Sequence, residues 1–205
     1  MPPEPALIAK VVEVPVIEHV KRKALNVRGL DVLDDLSGRG YPDILLTGRA
    51  IGSRKVAVDV KVARRNTPKR GTPTRTQSRI TLGPFDSYCR RPDEPIPGVG
   101  VAYGDFASHI DLIVLYDYID GDVQRIQILT AETWRIASMK RSSTTRNYIG
   151  AVDLLVDLIE ERGPFESEAD FHAYWRSQPV RNARSLTAGV AEPESVEASD
   201  LPEET

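Results

Sequence analysis

Cysteine is nearly absent. Cys89 stands alone among 205 residues, which excludes a disulfide framework and a cysteine-based metal centre. Histidine is scarce too: His19, His109 and His172 fall in no metal-ligand spacing and read as surface or core residues. No apolar run approaches the ~20 residues of a membrane span. The opening MPPEPALIAK lacks the basic, apolar and small-residue regions of a secretory signal. No internal repeat is present. These absences leave, as the expectation, a cytoplasmic chain with no membrane partner. Its 40% hydrophobic content supports the core of one α/β domain without staples.

An overall basic excess is also missing, since the net charge is −3. Its distribution matters more than its mean. Residues 191–205 hold six acids and no Lys or Arg, so the remaining body carries +3. A mildly basic body suits a nucleic-acid partner. The acidic tail, 183–205, is expected to be disordered.

What the chain does have is concentrated in Tyr41–Val62, YPDILLTGRAIGSRKVAVDVKV. Apolar runs at Ile44–Leu46 and Val56–Val62 flank a Gly/Ser turn, which predicts two short paired strands. The second run alternates strictly. Val56, Val58, Val60 and Val62 share one face; Ala57, Asp59 and Lys61 share the other. Pairing of the strands brings Asp43 towards Asp59. Two carboxylates bind a hard divalent cation such as Mg²⁺ through oxygen. The cation activates a water and neutralises phosphoryl charge, and a lysine beside it orients that water or stabilises the anion. An exposed Asp/Lys pair on an amphipathic strand would look similar, so the motif alone decides little.

Around it, Ala6–Leu25 has helical spacing that Pro15 is expected to kink or split. Glu13 and Glu18 lie on that segment. Gly29–Leu36 reads as a helix exit into an extended piece. Ser37–Gly40, with Arg39, is a basic loop directly before Pro42-Asp43. Between Val62 and Arg79 lie six cations and no acid: Arg64, Arg65, Lys69, Arg70, Arg75 and Arg79. Gly71 and two prolines predict a mobile loop there, suited to DNA phosphates. Leu82–Arg91 and Ala131–Ala137 read as short helices. Ile110–Tyr118 and Val123–Leu129 read as a hairpin across Asp120-Gly121. Ser138–Asn147 forms a second basic loop, with Lys140, Arg141 and Arg146. Ala151–Glu161 and Ser167–Ser177 read as helices. Val152, Leu154, Leu155, Leu158 and Ile159 mark the buried face of the first; Phe171, Tyr174 and Trp175 mark that of the second.

The order of these pieces resembles the EcoRV-like type II restriction endonucleases of the PD-(D/E)xK nuclease superfamily, across roughly Val12–Asn182. The likeness is carried by Tyr41-Pro42-Asp43, Asp59-Val60-Lys61, Thr81-Leu82-Gly83 with Ser87, Ile149-Gly150, and a late run. That run is Gly163-x-Phe165-x-Ser167-Glu168, Phe171, Tyr174-Trp175-Arg176 and Arg181-Asn182. The resemblance implies an α/β, restriction-endonuclease-like core: a mixed central sheet flanked by helices. It implies a single endonuclease domain over 1–182, with an N-terminal helical segment (6–36), a catalytic core (41–130) and a recognition loop with C-terminal helices (138–182). It implies a homodimer that cuts double-stranded DNA at a short palindrome, leaving blunt ends, with Mg²⁺ as cofactor and Mn²⁺ able to substitute. Asp43 and Asp59 take the metal-ligand roles, with Glu13 (alternatively Glu18), and Lys61 the catalytic lysine role. DNA contacts fall to Arg39, Arg64, Arg65, Lys69, Arg70, Lys140, Arg141, Ser142, Ser143, Thr144, Thr145, Arg146 and Asn147, the last six forming the base-reading loop.

This sequence also departs from the family. Most of the N-terminal portion that helps hold the dimer is missing. Val62-Ala63 replace hydroxyl residues, and Ser and Thr replace glycines in the base-reading loop, where Arg146 is new and able to pair with guanine. The alternatives are, within the nucleases, a structure- or lesion-dependent repair enzyme on the same core and, outside them, a DNA-binding module that does not cut.

Overall fold

The computed structural model describes residues 5–33, 41–68, 70–96, 99–143 and 147–180, with side chains from Ile8 onward. Arg39, Lys69, Thr144, Thr145, Arg146, the Ser37–Gly40 loop and the acidic tail lie outside the described residues. Helix α1 (Pro5–Leu25) leads into β1 (Asp31–Leu33), β2 (Ile44–Thr47) and β3 (Val56–Arg64). Strand β4 (Thr81–Pro84) precedes the long hairpin of β5 (Ser108–Ile119) and β6 (Asp122–Glu132). Helix α2 (Thr133–Ile136), β7 (Ala137–Arg141), β8 (Tyr148–Ala151), α3 (Leu155–Ile159) and α4 (Glu168–Ser177) complete the chain.

Five strands form a mixed sheet in the order β1-β2-β3-β5-β6; β3 and β5 run parallel and the other neighbours antiparallel. The period-2 pattern of β3 and β5 divides the core into two layers. Val58, Val60, Leu112 and Val114 pack beneath α1, against Val12, Val16, Ile17 and Val20. Ala57, Ala63, Ile113 and Leu115 face the second, three-stranded sheet, β4-β8-β7, with Phe85, Tyr88, Ile149, Phe171 and Trp175. Asp59, Lys61 and Asp111 project into this second layer by the same alternation. Cys89 is buried there as well, and burial pushes its thiol up to about 12.

Several elements follow their sequence signals. Asp120 and Gly121 both have positive φ, 52° and 92°, as a type I′ hairpin turn requires. Ser167 caps α4 by accepting from the Asp170 amide at 3.1 Å.

Others differ. Helix α1 is not split: Pro15 sits inside it. The carbonyl that loses its amide partner belongs to Val11, a solvent-exposed residue, where a lost backbone bond costs least. Leu82–Arg91 is not one helix. Its first half pairs with β8 and its second half forms a single π turn, Asp86–Arg90. The helix expected over Ala151–Glu161 spans only Leu155–Ile159, and Ile159 is exposed rather than buried. Backbone groups of 152–155 are already engaged: Val152 N–H donates to Ile136, Thr76 N–H to the Asp153 carbonyl, and Leu155 N–H to Thr74.

The same contacts correct the expected mobile loop after Lys61. Arg64 ends β3 and Arg65 bridges Thr76. Asn66 Oδ1 accepts from the amides of Thr74 and Arg75, both at 3.2 Å. Lys140 and Arg141 likewise belong to β7, not to a loop.

Candidate active site

Strand β2 is short. Ile44 pairs with Val58, so Asp43 stands opposite Asp59 just where β2 begins. Asp43 Oδ2 accepts the Val60 amide at 2.7 Å, continuing the ladder by one side chain. Asp59 is 7% exposed, and Lys61 Nζ bonds its Oδ2. Asp43, Asp59 and Lys61 are thus brought together.

A third carboxylate lies behind Asp59 on the neighbouring strand. In the parallel pairing of β3 and β5, Asp111 is the partner of Asp59. Asp111 is 1% exposed; Thr133 Oγ1 donates to its Oδ2 at 2.7 Å, and its Oδ1 is buried with no partner among the described residues. The sequence signal existed but was easily passed over. In Ile110–Tyr118, Asp111 is the one charged residue at an inward position between His109 and Leu115.

The electrostatics follow from this crowding. Burial raises Asp43 to about 6, helped by the Asp59 charge and a hydrogen bond between the two carboxyls, while the Val60 amide and Lys61 pull it down. Burial likewise raises Asp59, against Lys61, with Asp111 adding to the rise. Asp111 is raised to about 6, again by burial first. For Lys61 burial is the largest effect and pulls its pKa down, but the carboxylates of Asp59, Asp111 and Asp43 outweigh it, so the ammonium is retained.

Tyr41 walls the site. His109 Nε2 lies 3.1 Å from the Tyr103 carbonyl, which only accepts, so Nε2 carries the proton. Nδ1 therefore accepts from the Tyr41 hydroxyl at 2.6 Å. Burial lowers His109 to about 4, keeping it neutral. The Tyr41 ring also stacks on Tyr103, with centroids 4.9 Å apart. The cleft in front, about 550 Å³, is lined by Tyr41, Asp59, Lys61, Thr81, Ser87 and Tyr148 among others.

The two candidate glutamates separate. Glu18 pairs with Lys21 on the exposed side of α1. Glu13 pairs with Lys10 at 2.5 Å and faces a neighbouring cavity that shares Lys61 and Thr81 with the cleft. Among the described residues, no three His, Cys, Asp or Glu side chains lie close enough to cage a metal ion. The donor set is instead two juxtaposed carboxylates whose charged forms are penalised without a cation. That fits a hard ion such as Mg²⁺, which takes one or two carboxylates and completes its shell with water and phosphate oxygens.

The cations expected to meet DNA are divided. Arg65 is used inside the fold. It pairs with Asp117 at 3.3 Å and donates to the Arg125 carbonyl and to Gln127 Oε1, both at 2.8 Å. Arg64 lies over the Tyr118 ring, 5.0 Å from its centroid. Arg70 and Lys140 are exposed. Arg141 lies over Phe85 at 5.0 Å, donates to Asn147 Oδ1 at 3.1 Å and bonds the Pro179 carbonyl. It clamps the base of the loop that holds Ser142 and Ser143, while the rest of that loop up to Asn147 lies outside the described residues.

Comparison with known proteins agrees with this architecture. The family model of the restriction endonuclease EcoRV matches residues 1–194. The type II restriction enzyme EcoRV of Escherichia coli is 23% identical over 179 residues, covering 80% of this chain and 69% of that one.

Proposed function

The chain belongs to the restriction endonuclease EcoRV family, and from that premise we propose that it is a Mg²⁺-dependent type II restriction endonuclease. It hydrolyses double-stranded DNA at a short palindromic site, leaves blunt ends and works as a homodimer, because two equivalent cuts in a palindrome call for a two-fold pair of sites. A cytoplasmic location, where such DNA is met, goes with this reading. No helix among the described residues is long and apolar enough to cross a membrane.

The observation that supports it best is the juxtaposition of Asp43, Asp59 and Lys61 across two paired strands, with Asp59 and Lys61 lining one cleft. In this reading Asp43 and Asp59 hold the cation, and Mn²⁺ substitutes for Mg²⁺. A cation bound there lowers the pKa of a water and offsets charge on the phosphoryl group. Asp43 and Asp59 would hold the cation in their charged forms. Lys61 then leaves Asp59 Oδ2 and donates from Nζ to a phosphoryl oxygen as negative charge builds. Asp111 keeps a carboxylate behind Lys61, so the ammonium stays protonated. Glu13 supplies a further acid from the adjoining cavity. Arg64, Arg70 and Lys140 meet the DNA backbone; the loop 142–147 reads bases in the major groove, and the loop at Arg39 follows the minor groove.

Plasmid incubated with the protein and Mg²⁺ is expected to give discrete fragments, and Asp59→Ala to abolish them while DNA binding persists. Cleavage at junctions or lesions irrespective of sequence would instead establish a repair nuclease. Binding without cutting in any divalent metal would establish a non-cleaving module.

A further inference from the structure

Asp43 stands one residue outside the sheet, since the pairing of β2 with β3 starts at Ile44 and Val58. The backbone of β3 offers its side chain one bond, from the Val60 amide at 2.7 Å. The Asp59 carboxylate beside it repels it whenever both are charged. Strand pairing alone therefore does not fix where the Asp43 carboxylate stands. Two residues earlier the chain is anchored more firmly. The Tyr41 ring stacks on Tyr103 with centroids 4.9 Å apart and meets Phe106 edge-on at 6.4 Å. Its hydroxyl donates to His109 Nδ1 at 2.6 Å. Buried Pro42 is the one residue between Tyr41 and Asp43, and its ring locks one of the backbone rotations that separate them.

His109 is a fixed post for that hydroxyl. It is buried in β5, opposite Ala57 of β3. Its ring lies between Tyr88, 4.6 Å away, and Phe106, 5.2 Å away. Its Nε2–H donates to the Tyr103 carbonyl at 3.1 Å. Thr133 Oγ1, which donates to Asp111 Oδ2 at 2.7 Å, also lies 3.3 Å from the His109 carbonyl. A neutral imidazole offers one donor and one acceptor on opposite sides of a flat ring, and both are used here. The Tyr41 side chain lines the cleft, yet its proton is committed to His109 and is not offered to substrate.

We propose that Tyr41 and His109 form a brace that positions Asp43 for the cation: the hydrogen bond from the Tyr41 hydroxyl to His109 Nδ1 holds the Asp43 carboxylate opposite Asp59. Both are positioning residues, acting through Asp43. Without the brace Asp43 swings away from Asp59, and the cation loses a ligand while the surface that meets DNA is unchanged. This inference rests on the nuclease reading above, in which Asp43 and Asp59 hold the cation.

The test measures Mn²⁺ binding to the full chain, from loss of the free-ion electron paramagnetic resonance signal. Beside it, the Mg²⁺ concentration that half-saturates single-turnover cleavage of plasmid is determined. Tyr41→Phe keeps the ring and deletes the hydroxyl. It should weaken Mn²⁺ binding about 10-fold and raise the half-saturating Mg²⁺ by the same factor, with DNA affinity in the absence of metal unchanged. His109→Leu should do the same, and the double variant should cost no more than either single one. His109→Gln, whose amide can accept from Tyr41 and donate to the Tyr103 carbonyl, should recover most of the loss. Arg65→Gln, which loosens the fold beyond the end of β3, should keep wild-type Mn²⁺ affinity, which separates positioning from loss of stability. Wild-type Mn²⁺ affinity in Tyr41→Phe, or losses that add in the double variant, would overturn the brace and leave the nuclease reading intact. Wild type that neither binds Mn²⁺ nor cuts DNA would overturn both.

Discussion

The five-stranded sheet and the β7–β8 hairpin hold their charges in opposite ways. In the sheet, Asp59, Lys61 and Asp111 occupy positions dictated by strand alternation and by the pairing of β3 with β5. Asp59 and Asp111 are buried and Lys61 is half-buried, and neighbouring backbone fixes each Cβ. In the hairpin, the Arg141 and Asn147 side chains meet each other, with the Phe85 ring beneath the guanidinium and the Pro179 carbonyl as a further partner. Chemistry placed by register tolerates no change of residue type but needs no tuning. In the proposed reading, base selection placed on the loop after Arg141 can be re-aimed without disturbing the sheet.

That contrast can be broken at several points. Asp59→Ala should lower the cleavage rate by roughly 10³-fold or more, with DNA affinity kept; single-turnover kinetics beside a binding isotherm would show it. Arg65→Gln should cost about 3 kcal/mol in denaturant unfolding, because it leaves the buried Asp117 carboxylate without its main partner. The salt slope of DNA binding should stay unchanged, since Arg65 faces the interior. Arg141→Ala should lower kcat/KM about 10-fold, equivalent to ~1.4 kcal/mol. It should also alter the ratio between cognate and one-mismatch sites, which no sheet variant should do.

Smaller effects concern pH and the surface. Asp43 and Asp111, both at about 6 in the fold against an ordinary 3.8, bind protons more tightly folded than unfolded. Their contribution to stability is present at low pH and is lost as pH rises through about 6. His109, lowered from 6.5 to about 4, works in the other direction, its contribution being lost as pH falls through about 4. Asp43→Asn removes one carboxyl and leaves His109 in place. Without metal it should therefore melt above wild type at about pH 7, with the difference closing towards pH 4; saturating Mg²⁺ should reverse the order. A Tm series in both conditions checks this. Arg75→Ala, which breaks a half-exposed pair with Asp153, should change stability by no more than ~0.5 kcal/mol.

Where a single local rule governs, the sequence was readable. Strict alternation placed Asp59 and Lys61 on one face, Asp120-Gly121 closed the β5–β6 hairpin, and Ser167 capped α4. The readings that failed depend on partners distant in the chain. Residues 152–155 carry a helical pattern, yet Thr74 and Thr76 claim their backbone groups. Arg65 looks like a loop cation until Asp117, 52 positions on, takes it. Asp111 became visible only through its pairing with Asp59, because an acid inside an apolar run carries no spacing signature of its own.

The burial of Cys89 has a practical use. Its thiol lies at 0% exposure with a pKa of about 12, so only about one molecule in 10⁴ carries a thiolate at pH 8. Soft electrophiles will pass it by in the native protein. A cysteine introduced at an exposed hairpin position such as Lys140 would accept a fluorophore selectively, without removal of the natural thiol. Addition of DNA could then be followed at that position on protein that keeps its own cysteine.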